Sequence, residues 1–196
     1  MSKKLKIDSV VKMDTLAYLN GFVVKYSTPT SKKTWEMVSR SGKERVENEL
    51  FNNKSYCDAV MIFAKNREGT KLVVLKEYRV TAGKYVYMLP AGLVDSGEDL
   101  EFAAKREFKE ETGMNLEIVK VNKERYTSIG LSNEKLATVF GYYDGEPSKE
   151  HQEDSEDAEI LLVDKELALD ILENGEVSIR TAMFFEHFFD LNNFIK

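Results

Sequence analysis

The sequence predicts an α+β fold: a mixed β-sheet sandwiched between helices, preceded by a small N-terminal antiparallel β-sheet. Three observations carry this reading. Alternating and β-branched segments cluster before residue 90, a single stretch of helical periodicity interrupts them at 99–113, and two more helical stretches follow residue 163. Apolar residues make up 42% of the 196 positions, enough for a packed core in one or two domains.

Residues 6–13, 21–28 and 34–40 alternate or are rich in β-branched residues, with a turn at "STPTSKK", and read as the small antiparallel sheet. The polar interval Ser41 to Ser55 reads as a connector, so the expected domains are 1–55 and 56–196. "CDAVMIFAK" and "KLVVLKEYRV" flank "NREGT", a hairpin signal, and "KYVYMLP" follows as a further strand. Ser96 or Asp99 then caps a helix whose apolar positions Leu100, Ala103, Ala104 and Phe108 recur at helical spacing, and Gly113 supplies a left-handed stop. Strands near 116–127, 136–143 and 159–163 come next, then helices near 164–174 and 179–190.

Bulk properties exclude several function classes. No run of eighteen apolar residues occurs, and the basic start "MSKKLKIDSVVKM" lacks the apolar core of an export signal, so a cytoplasmic protein with no membrane partner is expected. The lone Cys57 has no disulfide partner and reads as a small buried hydrophobe in a reducing compartment. With 28 Lys and Arg against 34 Asp and Glu, the formal charge of −6 repels nucleic acid, and no basic stripe overrides it. The acidic segment "EHQEDSEDAE" reads first as a solvated loop, His151 as part of it, and His187 as part of a helix face.

One feature runs against local stability. Glu107, Glu110 and Glu111 fall at helical spacings of three and four, where like charges destabilise a helix by roughly 0.2–0.5 kcal/mol per pair. They also lie in the last two turns, the end of the helix dipole that prefers cations. A solvated face is the ordinary explanation, supported in part by the Glu101 and Lys105 pair at i,i+4. Three carboxylates on neighbouring turns also suit a hard divalent cation such as magnesium, which offsets the repulsion.

The spacing Gly92, five residues, Glu98, seven residues, then "REFKEETGM" from Arg106 to Met114 resembles the box of the Nudix hydrolase family at all seven fixed positions. The resemblance implies the Nudix fold and magnesium-dependent hydrolysis of a nucleoside diphosphate linked to another moiety, with manganese as a possible substitute. It implies that Glu107 and Glu111 are catalytic as the main metal ligands, that Glu110 binds through water, and that the Ala91 carbonyl is a backbone ligand. Gly92, Glu98, Arg106 and Gly113 are then structural.

The flanks narrow the resemblance. "LKEYR" and "YMLPAGLVDSGE" resemble the ADP-ribose and ADP-sugar pyrophosphatase branch, which implies that Arg79 contacts the diphosphate of ADP-ribose, split into AMP and ribose 5-phosphate. "TWEMVSR" resembles the N-terminal sheet of the same branch, which implies that Trp35 stacks on adenine while Glu36 and Arg40 contact the nucleotide. "SIGLSNEK" resembles a further loop of that branch. A loop glutamate that orients or deprotonates water falls in the acidic segment, with Glu156 the first choice and Glu153 the second. The branch exchanges its N-terminal sheet across a twofold axis, which implies a homodimer. Glu77, Met88 and Ile129 depart from the branch's usual Gln, Glu and Pro, so another nucleotide sugar or a dinucleoside polyphosphate remains an alternative substrate, and a non-catalytic nucleotide sensor is a further one.

Overall fold

Alternation along the first strands is what builds the first sheet. In the computed structural model of the protein, which describes residues 6–13, 17–152 and 158–191, strands β1 (Lys6–Met13), β2 (Asn20–Ser27) and β3 (Lys32–Ser39) pair antiparallel in that order. Phe22 and Val24 point to one face of β2, where they form a core with Val10 and Val46. Val46 comes from helix α1 (Lys43–Phe51), where the sequence reading placed a connector. Only Val46 is fully buried on α1 and Leu50, one turn on, packs beside it, so two apolar side chains suffice to seat a helix that is otherwise polar apart from the exposed Phe51 at its end.

Residues Lys123–Leu136 belong to the same compact unit as Met1–Asp58. They hold to α1 through a buried ion pair: Lys135 Nζ lies 3.3 Å from Glu49 Oε1 and donates to Ser55 Oγ at 3.0 Å. Both charged side chains are 7% exposed, and the ammonium also sits 4.8 Å from the centre of the Tyr126 ring. Asp58 and Arg45 pair at 2.6 Å close by in the chain, with Asp58 also accepting from the Lys135 amide at 2.9 Å.

The second unit comprises Ala59–Asn122 and Ala137–Lys196. Its strands are β4 (Ala59–Lys65), β5 (Leu72–Arg79), β6 (Lys84–Met88), β7 (Ala91–Leu93), the first part of β8 (Asn115–Tyr126), most of β9 (Lys135–Asp144) and β10 (Ala158–Val163), and its helices α2 (Leu100–Thr112), α3 (Lys165–Asn174) and α4 (Ile179–Phe188). The mixed sheet has the order β10-β5-β4-β9-β8. Strands β4 and β5 pair at Lys65 and Leu72, whereas further along β5 takes β6 as its partner and β4 takes β7. The short β7, set against Ala59 to Met61, is what introduces the Gly92 loop to α2.

Helices cover both faces of this sheet. Leu72 and Val74 of β5 share a core with Ala168 and Ile171 of α3 and Phe185 of α4, and Phe63 of β4 meets Phe184 edge to face at 4.3 Å. The intervening residues Val60, Ile62 and Ala64 are also fully buried, and α2 packs against β4 and β7 with Ala103, Ala104 and Phe108 buried. Burial on both faces explains why "LVVL" is a continuous apolar run rather than an alternating one. Among the described residues, no helix is long and apolar enough to cross a membrane.

Candidate active site

Helix α2 is fixed at both ends by the residues its sequence offers. Asp99, rather than Ser96, is the cap: its carboxylate accepts from the amides of Glu101 at 2.9 Å and Phe102 at 3.3 Å. Gly113 ends the helix at φ 71°, and a Cβ there would fall 2.6 Å from Ser148, so both conformation and space require glycine. With the apolar stripe turned to the sheet, Glu107, Glu110 and Glu111 lie towards β7 and the preceding loop.

Two of these carboxylates are laid against the backbone of β7. A Cβ on Gly92 would fall 1.9 Å from the carboxyl carbon of Glu107, so the missing side chain is the space that Glu107 occupies. Glu111 Oε2 accepts from the Ala91 amide at 3.1 Å. Arg106 then ties the loop to the helix. Its Nε and Nη2 donate to the two oxygens of Glu98 at 2.8 and 2.9 Å, its Nη1 donates to Glu107 at 2.8 Å and Glu110 at 3.0 Å, and its Nη2 also reaches the Leu93 carbonyl at 3.0 Å.

The Glu98 side chain is 8% exposed, which separates this pair from an ordinary surface salt bridge. The Arg106 guanidinium, helped by the Asp95 amide and against the cost of burial, holds the Glu98 carboxyl down at about 2, from an ordinary 4.5. The same bond to Glu98, with those to Glu107 and Glu110 behind it, raises Arg106 above its ordinary value. In this arrangement the guanidinium answers part of the repulsion along α2.

Three carboxylates, Glu98, Glu107 and Glu110, surround that one cation, and a fourth, Glu111, lies on the Ala91 amide. Among the described residues, no three His, Cys, Asp or Glu side chains converge closely enough to form a metal centre, and Arg106 Nη1 draws both Glu107 and Glu110 to itself. The donor set nevertheless fits a hard divalent cation: every donor is oxygen, negative charge is in excess, and Gly92 places no side chain between Glu107 and the β7 backbone.

The remaining predicted residues are placed as follows. Arg79, at the end of β5, is about half exposed and donates through Nη1 to Glu77 at 2.7 Å. In the first unit, the Trp35 indole is not a core residue: it is 52% exposed, and its Nε1 donates to the Gly130 carbonyl at 3.2 Å. Glu36 is exposed and paired in register with Val23, on the opposite face of β3 from Trp35. Arg40 pairs with Glu134 at 2.8 Å. Thus Glu98, Glu107 and Glu110 are joined through Arg106, with Glu107 at Gly92 and Glu111 at Ala91, while Trp35 and Arg40 both reach the loop that holds Gly130 and Glu134. Glu153 and Glu156 lie outside the described residues.

The sequence reading missed several participants. Gln152 Nε2 donates to the Glu111 carbonyl at 2.8 Å, and neither spacing nor charge marks a lone glutamine for that task. Glu134 as the partner of Arg40 was signalled only by its place in "SIGLSNEK". Cys57, expected to be buried, is half-buried, with Sγ 3.9 Å from the Lys135 carbonyl. His187 is exposed on α4.

The NUDIX domain profile matches residues 55–182, a span that contains the whole Gly92 to Met114 constellation. The chain belongs to the NUDIX family. Among NUDIX relatives, a protein described as putative nudix hydrolase 2 of Caenorhabditis elegans is 33% identical over 152 residues, covering 74% of this chain and 65% of its own length. An ADP-ribose pyrophosphatase of Bacillus subtilis is 33% identical over 121 residues, 61% of this chain and 64% of that protein. An ADP-sugar pyrophosphatase of Mus musculus is 30% identical over 112 residues, 55% of this chain and 47% of that protein. The chain therefore spans less than two thirds of each of these relatives. The crystal structure of an ADP compounds hydrolase superposes with a TM-score of 0.68 at 21% identity, covering 94% of this chain and 93% of the other, a likeness of fold.

Proposed function

We propose that this NUDIX chain is a cytoplasmic homodimer that hydrolyses the pyrophosphate bond of ADP-ribose, and of other ADP-sugars, to AMP and a sugar phosphate. The observation that carries the reading is the seating of Glu107 in the space left by Gly92, held there by the Glu98–Arg106 clasp, with Glu111 on the Ala91 amide. Named relatives that act on ADP-ribose and ADP-sugars support the substrate class.

Glu107, Glu110, Glu111 and the Ala91 carbonyl would hold magnesium, or manganese in its place. When bound, the metal neutralises charge on the non-bridging pyrophosphate oxygens and acidifies water. The chain's own residues supply position. Arg106 fixes the angle of the Glu107 side chain, and Glu98 fixes Arg106. Arg79, steadied by Glu77, offers its half-exposed guanidinium to the diphosphate. Trp35 offers an exposed indole face to adenine, with Arg40, which reaches the same loop, contacting the nucleotide, and Glu36, on the other face of β3, left outside that contact. A carboxylate of the acidic segment, Glu156 or else Glu153, takes the proton of the attacking water. Ile129, 71% exposed where the branch has proline, favours a looser hold on the second sugar, hence several ADP-sugars rather than one.

The test is catalytic efficiency on ADP-ribose, ADP-glucose, UDP-glucose, GDP-mannose and a diadenosine polyphosphate, with magnesium and with chelator. ADP-linked sugars are expected to lead and chelator to abolish turnover. A preference of more than about tenfold, roughly 1.4 kcal/mol, for a non-adenine sugar overturns the substrate. Glu111→Gln keeps size while removing one ligand charge, and turnover is expected to fall at least about 10²-fold, roughly 2.7 kcal/mol in the barrier. Retained activity in that variant overturns the chemistry.

A further inference from the structure

A second concavity, lined mainly by aromatic rings, lies on the α4 face of the second unit. Phe63 of β4 stacks on Phe140 of β9 at 4.7 Å and 11°, and meets Phe184 of α4 edge to face. Phe188 continues the α4 wall 5.8 Å beyond Phe184, and Val119 of β8, 61% exposed, stands at the opposite side. The space between them is about 350 Å³, within the range of small-ligand sites.

The register places it away from the box. Lys65 and Leu72, which line it, pair beside the β4–β5 turn, whereas Ala91 and Gly92 pair with Met61 and Val60 at the other end of β4. Lys65 is four steps along the strand from Met61, about 13 Å at roughly 3.3 Å per residue.

Its charge is on the rim and is positive. The Lys65 ammonium is held over the rings of Tyr142 at 5.7 Å and Phe188 at 5.9 Å, and it has no carboxylate partner among the described residues. Arg67 lies 4.9 Å over the same Tyr142 ring and is paired with Glu117, and the exposed imidazole of His187 stands at the α4 side. The end of α4 does not account for Lys65 either. The carbonyls of Phe185, Glu186 and His187 already accept from the amides of Phe189, Leu191 and Asp190.

We propose that this concavity binds a small amphipathic monocarboxylate, its aryl or alkyl body against Phe63, Phe140 and Phe184 and its carboxylate on Lys65. An apolar floor with an ammonium at its edge has no use for a neutral polar ligand and leaves a hydrophobic anion as the complementary shape and charge. The inference does not rest on the pyrophosphatase reading.

The probes are 4-phenylbutyrate and its uncharged amide, titrated into the full chain by calorimetry and by amide-resolved NMR. Phenylbutyrate is expected to bind with Kd below about 1 mM, the amide at least about tenfold more weakly, and the shifts to centre on Phe63, Phe140 and Phe184. Lys65→Met, which keeps the aliphatic stem, is expected to erase the preference for the acid. Val119→Glu, at an exposed position, is expected to abolish acid binding with the melting temperature unchanged. Absence of saturable binding, equal affinity for acid and amide, a preference that survives in Lys65→Met, or shifts centred elsewhere would each overturn the proposal.

Discussion

Arg106 commits all three guanidinium nitrogens to the loop and helix that carry the carboxylates, so the protonation of one partner, Glu98, is linked to stability. The Glu98 carboxyl sits at about 2 in the folded chain against 4.5 ordinarily, so the clasp contributes its stability above about 4.5 and loses it as pH falls towards 2. Glu98→Gln removes that linkage. Urea unfolding between pH 6 and 2 is therefore expected to show the wild type losing stability more steeply than the variant, starting from a higher value. Parallel curves would mean that Glu98 titrates alike in both states. At this scale the sequence was informative where spacing encodes geometry. Gly92, Glu98 and Arg106 were recognisable because their separations resemble those of the Nudix box. The Glu77–Arg79 and Trp35–Gly130 contacts were not, since each depends on where a side chain lands rather than on how far apart two residues stand in the chain.

Among the elements, α2 was legible to within a residue because periodicity, cap and left-handed stop agree. Asp99→Ala removes the acceptor for two amides, and unfolding is expected to become easier by about 1 kcal/mol, within the 0.5–2 typical of caps. Denaturant melts check this, and an unchanged midpoint would show that Glu101 and Phe102 amides find other acceptors. The apolar stripe of Ala103, Ala104 and Phe108 is untouched by that change, so the fold is expected to survive it. Helix α1 was not legible for the opposite reason. A helix seated by Val46 and Leu50 alone looks, along the sequence, like any charged linker. The three-residue β7 is too short for any period to show, although it is the strand against which Glu107 and Glu111 rest.

For the molecule as a whole, the first unit leaves apolar side chains uncovered: Val11 is 44% exposed, Ile129 71% and Leu131 60%. Strand β3 has β2 on one edge, and at its other edge the described backbone bond is the Val38 amide to the Leu131 carbonyl at 3.0 Å. An edge of that length invites another chain, and a three-stranded sheet with one helix is small for independent stability. Light scattering at micromolar concentration is expected to give twice the chain mass of 22.5 kDa. A monomer with full activity would contradict it. Sequence patterning reports which face of a strand is apolar, and here that sufficed for the sheet. It does not report which apolar groups the same chain leaves open.

Trp35 is the chain's one tryptophan, and with about half its surface in solvent it is also the chain's one long-wavelength fluorophore. Its emission is expected to be red-shifted in the free protein. A purine stacked on the indole would quench it, so binding at the nucleotide end becomes readable without a label and, under chelator, without turnover. ADP-ribose should quench in a saturable manner where UDP-glucose does not, and an unchanged spectrum would remove Trp35 from the adenine contact.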